Sequence, residues 1–167
     1  MMSQHRYALT VEWTGNLGVG TRSYQAYSRD HVVHVSGKPS IDGSSDPAFR
    51  GDATRHNPED LFVASLSACH MLWYLHLCSA NGLVVNRYRD AASGTLSLKA
   101  DGSGAFSNVT LAPEVVLAAG IDEHTRQRAI ELHEAAHHMC FLANSVTFEM
   151  VVEPTVRFED EAADTGS

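Results

Sequence analysis

The sequence is poor in cysteine and in positive charge. Among 167 residues there are three cysteines, Cys69, Cys78 and Cys140. A low, odd count argues against the disulfide framework of a small secreted domain and fits a reducing compartment. Lys and Arg total 12 against 20 Asp and Glu, for a formal net charge of −8. With no Lys/Arg cluster, the basic footprint of a nucleic-acid-binding protein is missing, so nucleic acid is not an expected partner. The acidity serves solubility. The opening run MMSQHRYALTVEW lacks the apolar segment of a secretion signal, and the expected location is the cytoplasm. Residues 61–86 hold no formal charge and are long enough to span a bilayer. However, Ser65, Ser67, His70, His76, Ser79, Asn81 and Gly82 interrupt them, and Glu59 and Asp60 precede them instead of basic residues. The expectation is a helix apolar nearly all round at the centre of a fold, with no membrane as partner.

Periodicity supplies the other elements. Tyr7, Leu9, Val11 and Trp13 alternate with more polar residues, and residues 23–28 and 31–36 also read as extended. Residues 37–56 form a long Gly/Pro/Ser/Asp-rich loop, and long loops inside compact domains tend to be functional. Asn57 is placed to cap a helix, Pro58 suits its first position, and Glu59 and Asp60 favour the positive end of its dipole. That helix should stop at Asn81-Gly82. Strands are predicted at residues 83–88, 94–99 and 109–117, a second helix from Asp122 to about Leu142, and a last strand at residues 146–158. Strands and helices are clustered rather than alternating, which predicts an α+β fold with largely antiparallel sheets packed around two long helices. A single domain over residues 1–158, followed by a disordered tail at 159–167, is expected.

Cys69 lies mid-helix in VASLSACHMLWY, where a small buried hydrophobe is the ordinary role for a cysteine. Cys78 is nine residues further on, about 180° round the same helix and roughly 13 Å along it. A disulfide needs Cα atoms within about 7 Å, so these two cannot pair while the helix holds. Cys140, near the end of the second helix, could reach Cys69 if the two helices pack face to face. A reactive cysteine works as its thiolate, which apolar surroundings oppose. A cation must therefore come from outside the helix. Arg50 and Arg55 in the preceding loop are candidates, as is Arg22 further upstream.

The segments Asn57-Pro58-Glu59-Asp60-Leu61-Phe62, Ser65-Leu66-Ser67-Ala68-Cys69-His70 and Met139-Cys140-Phe141-Leu142-Ala143-Asn144-Ser145 resemble the OsmC/Ohr family of osmotically inducible and organic-hydroperoxide-resistance proteins. The GKPSIDGSSDPAFRGD loop is closer to the OsmC-like branch. The resemblance implies a thiol peroxidase with Cys69 as peroxidatic cysteine, Cys140 as resolving cysteine and an external dithiol as reductant. It also implies a Glu, matched by Glu59, and an Arg, for which Arg50 is favoured over Arg22. Phe141 stands where many members carry Pro. No cofactor is implied. Glu59 and Cys69 are ten residues apart, about 15 Å along a regular helix. For both to serve one site, either the helix breaks or Glu59 comes from a second copy; the second is expected, in an intertwined homodimer. Phe62, Leu66, Trp73 and Phe141, with Leu72, suggest an apolar pocket for an organic hydroperoxide, although each alone reads as core.

Two other readings compete. One is a non-enzymatic protein of the same fold that binds a small apolar ligand. The other rests on His133-Glu134-Ala135-Ala136-His137, an HExxH match on a predicted helix, the pattern that binds zinc in metallohydrolases. No third ligand follows in sequence, although Cys140 could share a face with His133 and His137. The sequence-based expectation is a site without metal. His70 and His76 read as buried polar residues.

Overall fold

The structure, a computed structural model, describes residues 3–118 and 122–163. The chain divides into two compact units, Met1–Phe62 and Val63–Ser167.

The first unit holds a three-stranded antiparallel sheet of β1 (Thr10–Trp13), β2 (His31–His34) and β3 (Ile41–Gly43) in that spatial order. Residues 23–28 are turns, not the predicted strand. The Arg29 guanidinium donates to the carbonyls of Tyr27 (2.7 Å) and Tyr24 (2.8 Å) and lies 4.2 Å from the centre of each ring. Carbonyls turned toward this cation are not free to build a ladder. The long loop predicted at 37–56 contains β3 and a 3-10 turn at Pro47–Phe49.

Helix α1 (Pro58–Ala80) follows. Asn57 caps it as predicted, its Oδ1 accepting from the Asp60 amide at 2.7 Å. It ends at Gly82, whose φ of 73° suits a residue without Cβ, and the Leu83 amide returns to the Cys78 carbonyl at 2.9 Å. Only Leu66, His70, Tyr74 and Cys78, a stripe at four-residue spacing, are buried. The expected all-round burial is not found: Leu72 is 63% exposed. α1 has the length and composition to cross a membrane, but it is the one such helix among the described residues and carries this core stripe.

The second unit contains two three-stranded sheets, ordered β4-β7-β9 and β5-β6-β8. Their strands are β4 (Val85–Asp90), β5 (Ser93–Leu98), β6 (Gly104–Leu111), β7 (Pro113–Leu117), β8 (Glu149–Val152) and β9 (Thr155–Phe158). β4–β7 and β5–β6 are antiparallel, whereas β6–β8 and β7–β9 are parallel. The fold is therefore α+β with mixed sheets. The strands predicted at 109–117 and 146–158 are each split in two, at Ala112-Pro113 and at Glu153-Pro154. Proline cannot donate to a ladder, and here it marks where the chain passes from one sheet to the other.

Helix α2 (Glu123–Met139) is capped by Asp122, which accepts from the Thr125 amide at 2.9 Å. Its buried residues include Ala129, Leu132 and Ala136. With Tyr74, Cys78, Val115, Leu117, Val156 and Phe158 they form the core. Each large apolar side chain buried there contributes about 1.5–3 kcal/mol. The expected disordered tail starts instead as a short helix, α3 (Glu159–Ala163). Glu161 accepts from Arg126 of α2 and from the Phe158 amide at 2.9 Å, which ties α3 down. Residues 164–167 of that predicted tail lie outside the described residues.

Candidate functional site

Two thiols meet in the second unit. Cys69 sits half-buried in the middle of α1. Cys140 is fully buried, with no exposed surface. It follows the last residue of α2 as its C-cap, with φ −69° and ψ 112°, so the helix stops short of the predicted Leu142. This extended backbone turns the chain into a 3-10 turn at Ala143–Ser145, and the Ala143 amide donates to Cys140 Sγ at 3.4 Å. The Cys140 thiol also lies in hydrogen-bonding contact with the Cys69 side chain. Burial and this contact push Cys140 well above the ordinary thiol range. Cys140 is thus held as the thiol, beside a half-buried Cys69. Cys78 is 1% exposed, its thiol pushed up by burial. It belongs to the core cluster.

Around the thiols the surface is apolar. Phe141 is 67% exposed and packs edge-on against Trp73, ring centres 5.4 Å apart. Met139 and Leu142 are also exposed. Phe62 is half-buried. Leu66, expected as pocket lining, is instead buried on the inner stripe of α1. Leu66 lies in line with His70, Tyr74 and Cys78 at four-residue steps on the buried stripe, with Cys69 about 60° round the helix from it.

The proposed charged partners belong to the first unit. Glu59 is half-buried in the first turn of α1. Because α1 is unbroken, Glu59 and Cys69 of one chain are about 15 Å apart along its axis. Arg50 is exposed at the end of the Pro47–Phe49 turn with φ 66°, and its guanidinium lies 5.9 Å from the Tyr24 ring centre. Arg22 is exposed in a bend. Arg55 is already committed, within 4.0 Å of carboxylate oxygens of Asp30, Asp42 and Asp52.

The architecture is shared with known proteins. Residues 51–155 match the family model described as OsmC-like protein. The chain belongs to this family. An OsmC-like protein of unknown function from Vibrio cholerae O1 biovar eltor is 34% identical, with a TM-score of 0.80 over 92% of this chain and 100% of that one. An organic hydroperoxide resistance protein from Legionella pneumophila is 18% identical, with a TM-score of 0.63 over 92% and 98%. One from Bacillus subtilis is 20% identical, with a TM-score of 0.59 over 90% and 98%. At that identity the last two share the fold. Among curated protein sequences none matches.

His70, next to Cys69, is completely buried, whereas His76, also expected inside, is exposed. His70 Nε2 and His133 Nδ1 of α2 are 3.0 Å apart, and Tyr74 stacks on the His133 ring with centres 3.7 Å apart. Burial, with the nearby His137, drives His70 down to about 4; burial, with His70, drives His133 to about 3. Both are neutral near pH 7. The HExxH pattern thus turns its first histidine toward α1. His137 is half-buried, and Glu134 and His138 are exposed. No group of three or more His, Cys, Asp or Glu side chains suited to holding a metal occurs among the described residues. Cys140 is drawn to Cys69 rather than into a set with the two histidines. The i, i+4 spacing of buried positions on α1 could have picked out His70. Nothing in the sequence signalled its pairing with a residue 63 positions away.

Proposed function

We propose that this protein is a thiol-dependent peroxidase that reduces organic hydroperoxides. The observation that carries the reading is the contact between a half-buried thiol on α1 and a buried, protonated thiol at the end of α2. Family membership supports it, since two structural neighbours are named organic hydroperoxide resistance proteins.

The Cys69 thiolate attacks one peroxide oxygen. The O–O bond breaks, Cys69 becomes a sulfenic acid, and the departing alkoxide takes a proton to leave as an alcohol. The Cys140 thiol, already in contact, attacks the Cys69 sulfur, releases water and forms a disulfide. A dithiol reductant then exchanges with that disulfide, restoring both thiols and becoming oxidised itself. In this scheme Arg50 and Glu59 supply the cation and the carboxylate, with Glu59 coming from the second copy in a homodimer; the length of α1 between Glu59 and Cys69 supports that arrangement. The exposed Leu72, Met139 and Phe141 supply apolar surface for the organic substrate and for the second copy.

The test is turnover of cumene hydroperoxide with a dithiol reductant. Turnover should exceed that of hydrogen peroxide, and Cys69→Ser should lower it by about 1000-fold or more. A Cys69→Ser protein that retains turnover contradicts the reading. Light scattering should give a dimer, and a monomer with full activity overturns the role of Glu59.

A further inference from the structure

A cleft of about 410 Å³ opens in the second unit along α2, and neither Cys69 nor Cys140 lines it. It is lined by Gln127, Ile130, Glu131, His133, Glu134, His137, Met150, Val152 and Pro154. This volume is in the range that holds small organic ligands. One wall, from Ile130, Met150, Val152 and Pro154, is apolar. The polar groups come from one face of α2 and include two carboxylates, two imidazoles and an amide, with no Lys or Arg.

The floor is a prepared hydrogen-bonding group. His133 is 98% buried, with 2% of its surface exposed. Tyr74 fixes its ring by stacking, and His70 fixes it through Nδ1. Its other nitrogen, Nε2, is buried and has no partner. Nδ1 of His137, on the same cleft, is also buried and unpartnered. Buried polar atoms are normally hydrogen-bonded, and a ligand donor or acceptor would supply the partner these two lack.

We propose that this cleft binds a small organic ammonium ion with an apolar body. The charge argument sets the sign. Among the described residues Glu134 has no ion-pair partner, and Glu131 pairs with the exposed Arg128 alone, at 3.4 Å. A carboxylate ligand would bring like charge against both glutamates. An ammonium ion meets them favourably and donates to a neutral imidazole. The His70–His133 pair adjusts to it. When His133 Nδ1–H donates to His70 Nε2, the His133 Nε2 atom keeps a free lone pair to accept with. The apolar body lies on Ile130, Met150 and Val152. This site is separate from the thiol pair and does not rest on the peroxidase reading.

The experiment is calorimetry on the full-length chain with three probes of one shape: phenethylamine, 2-phenylethanol and 3-phenylpropionate. The amine should bind with unit stoichiometry, at least about tenfold more tightly than the alcohol, and the carboxylate should not bind. Glu134→Gln, an exposed change that leaves the core intact, should weaken amine binding about fivefold or more. In long-range ¹H–¹⁵N spectra the His133 Nε2 resonance should move when amine is added, and that of the exposed His138 should stay. Equal binding of the carboxylate, a Glu134→Gln protein that binds amine as well as the parent, or a stationary His133 resonance overturns the proposal.

Discussion

Two polar pairs connect α1 to α2 or its end, and on α1 they start from adjacent residues. Cys69 meets Cys140, and His70 meets His133. One step along a helix turns a side chain by about 100°, enough to separate two environments. His70 faces inward with Leu66, Tyr74 and Cys78, and its imidazole is neutral and held. Cys69 is half-buried and meets the thiol of Cys140. The comparison teaches that access, more than residue type, divides reactive from structural groups here. Cys78 carries the same thiol as Cys69 but lies on the buried stripe.

The comparison is broken most severely at Cys140. Cys140→Ser should lower sustained turnover by about 100-fold or more while leaving one rapid turnover. Dimedone labelling should then find sulfenic acid on Cys69. A normal steady-state rate would show that Cys140 does not resolve.

The histidine pair predicts a pH dependence of stability. Both folded-state values, about 4 and about 3, lie below the ordinary 6.5. As pH falls below about 6.5 the unfolded chain takes up protons first, so stability present at neutral pH is lost toward pH 4. Urea unfolding should give a loss on the order of 3 kcal/mol between pH 7 and pH 4.5. His133→Gln should cost about 1–3 kcal/mol at pH 7 through the orphaned His70 nitrogen, and should flatten that slope. A slope unchanged by this substitution would contradict the inward role of the pair.

The smallest effect is expected at Cys78. Cys78→Ala removes one buried sulfur and should cost about 1 kcal/mol in thermal or chemical unfolding. Peroxide turnover should be unchanged. A loss of turnover in a folded Cys78→Ala protein would mean that access does not divide the thiols.

Local signals were legible in the sequence, and pairings were not. The cap at Asn57 and the stop at Gly82 fixed α1, because both depend on residues within a turn of the helix end. The strand breaks at Pro113 and Pro154 were missed because the apolar runs continue through them, and only the sheet topology assigns the halves to different sheets. The same holds for the turn around Arg29, where two tyrosine carbonyls give up a ladder for a cation. Leu66 was misread because composition says apolar without saying which face. Ser67, which reads in sequence only as a polar interruption of the apolar run, donates to Asp90, which also accepts from the Ala112 amide at 2.7 Å. That link anchors α1 to β4 just beside Cys69, and no local pattern encodes it. The Cys69–Cys140 pair emerged from helix geometry and family resemblance together. The cap conformation that turns Cys140 out of α2 did not, because it depends on the packing of the chain beyond the helix.

The central claim is that Cys69 and Cys140 act as one redox couple and Cys78 stands apart. Thiol trapping with mass spectrometry after one equivalent of cumene hydroperoxide tests it most directly. The account predicts a Cys69–Cys140 disulfide with Cys78 recovered as free thiol. A disulfide that includes Cys78, or Cys69 and Cys140 both recovered as free thiols after the peroxide is consumed, would contradict it.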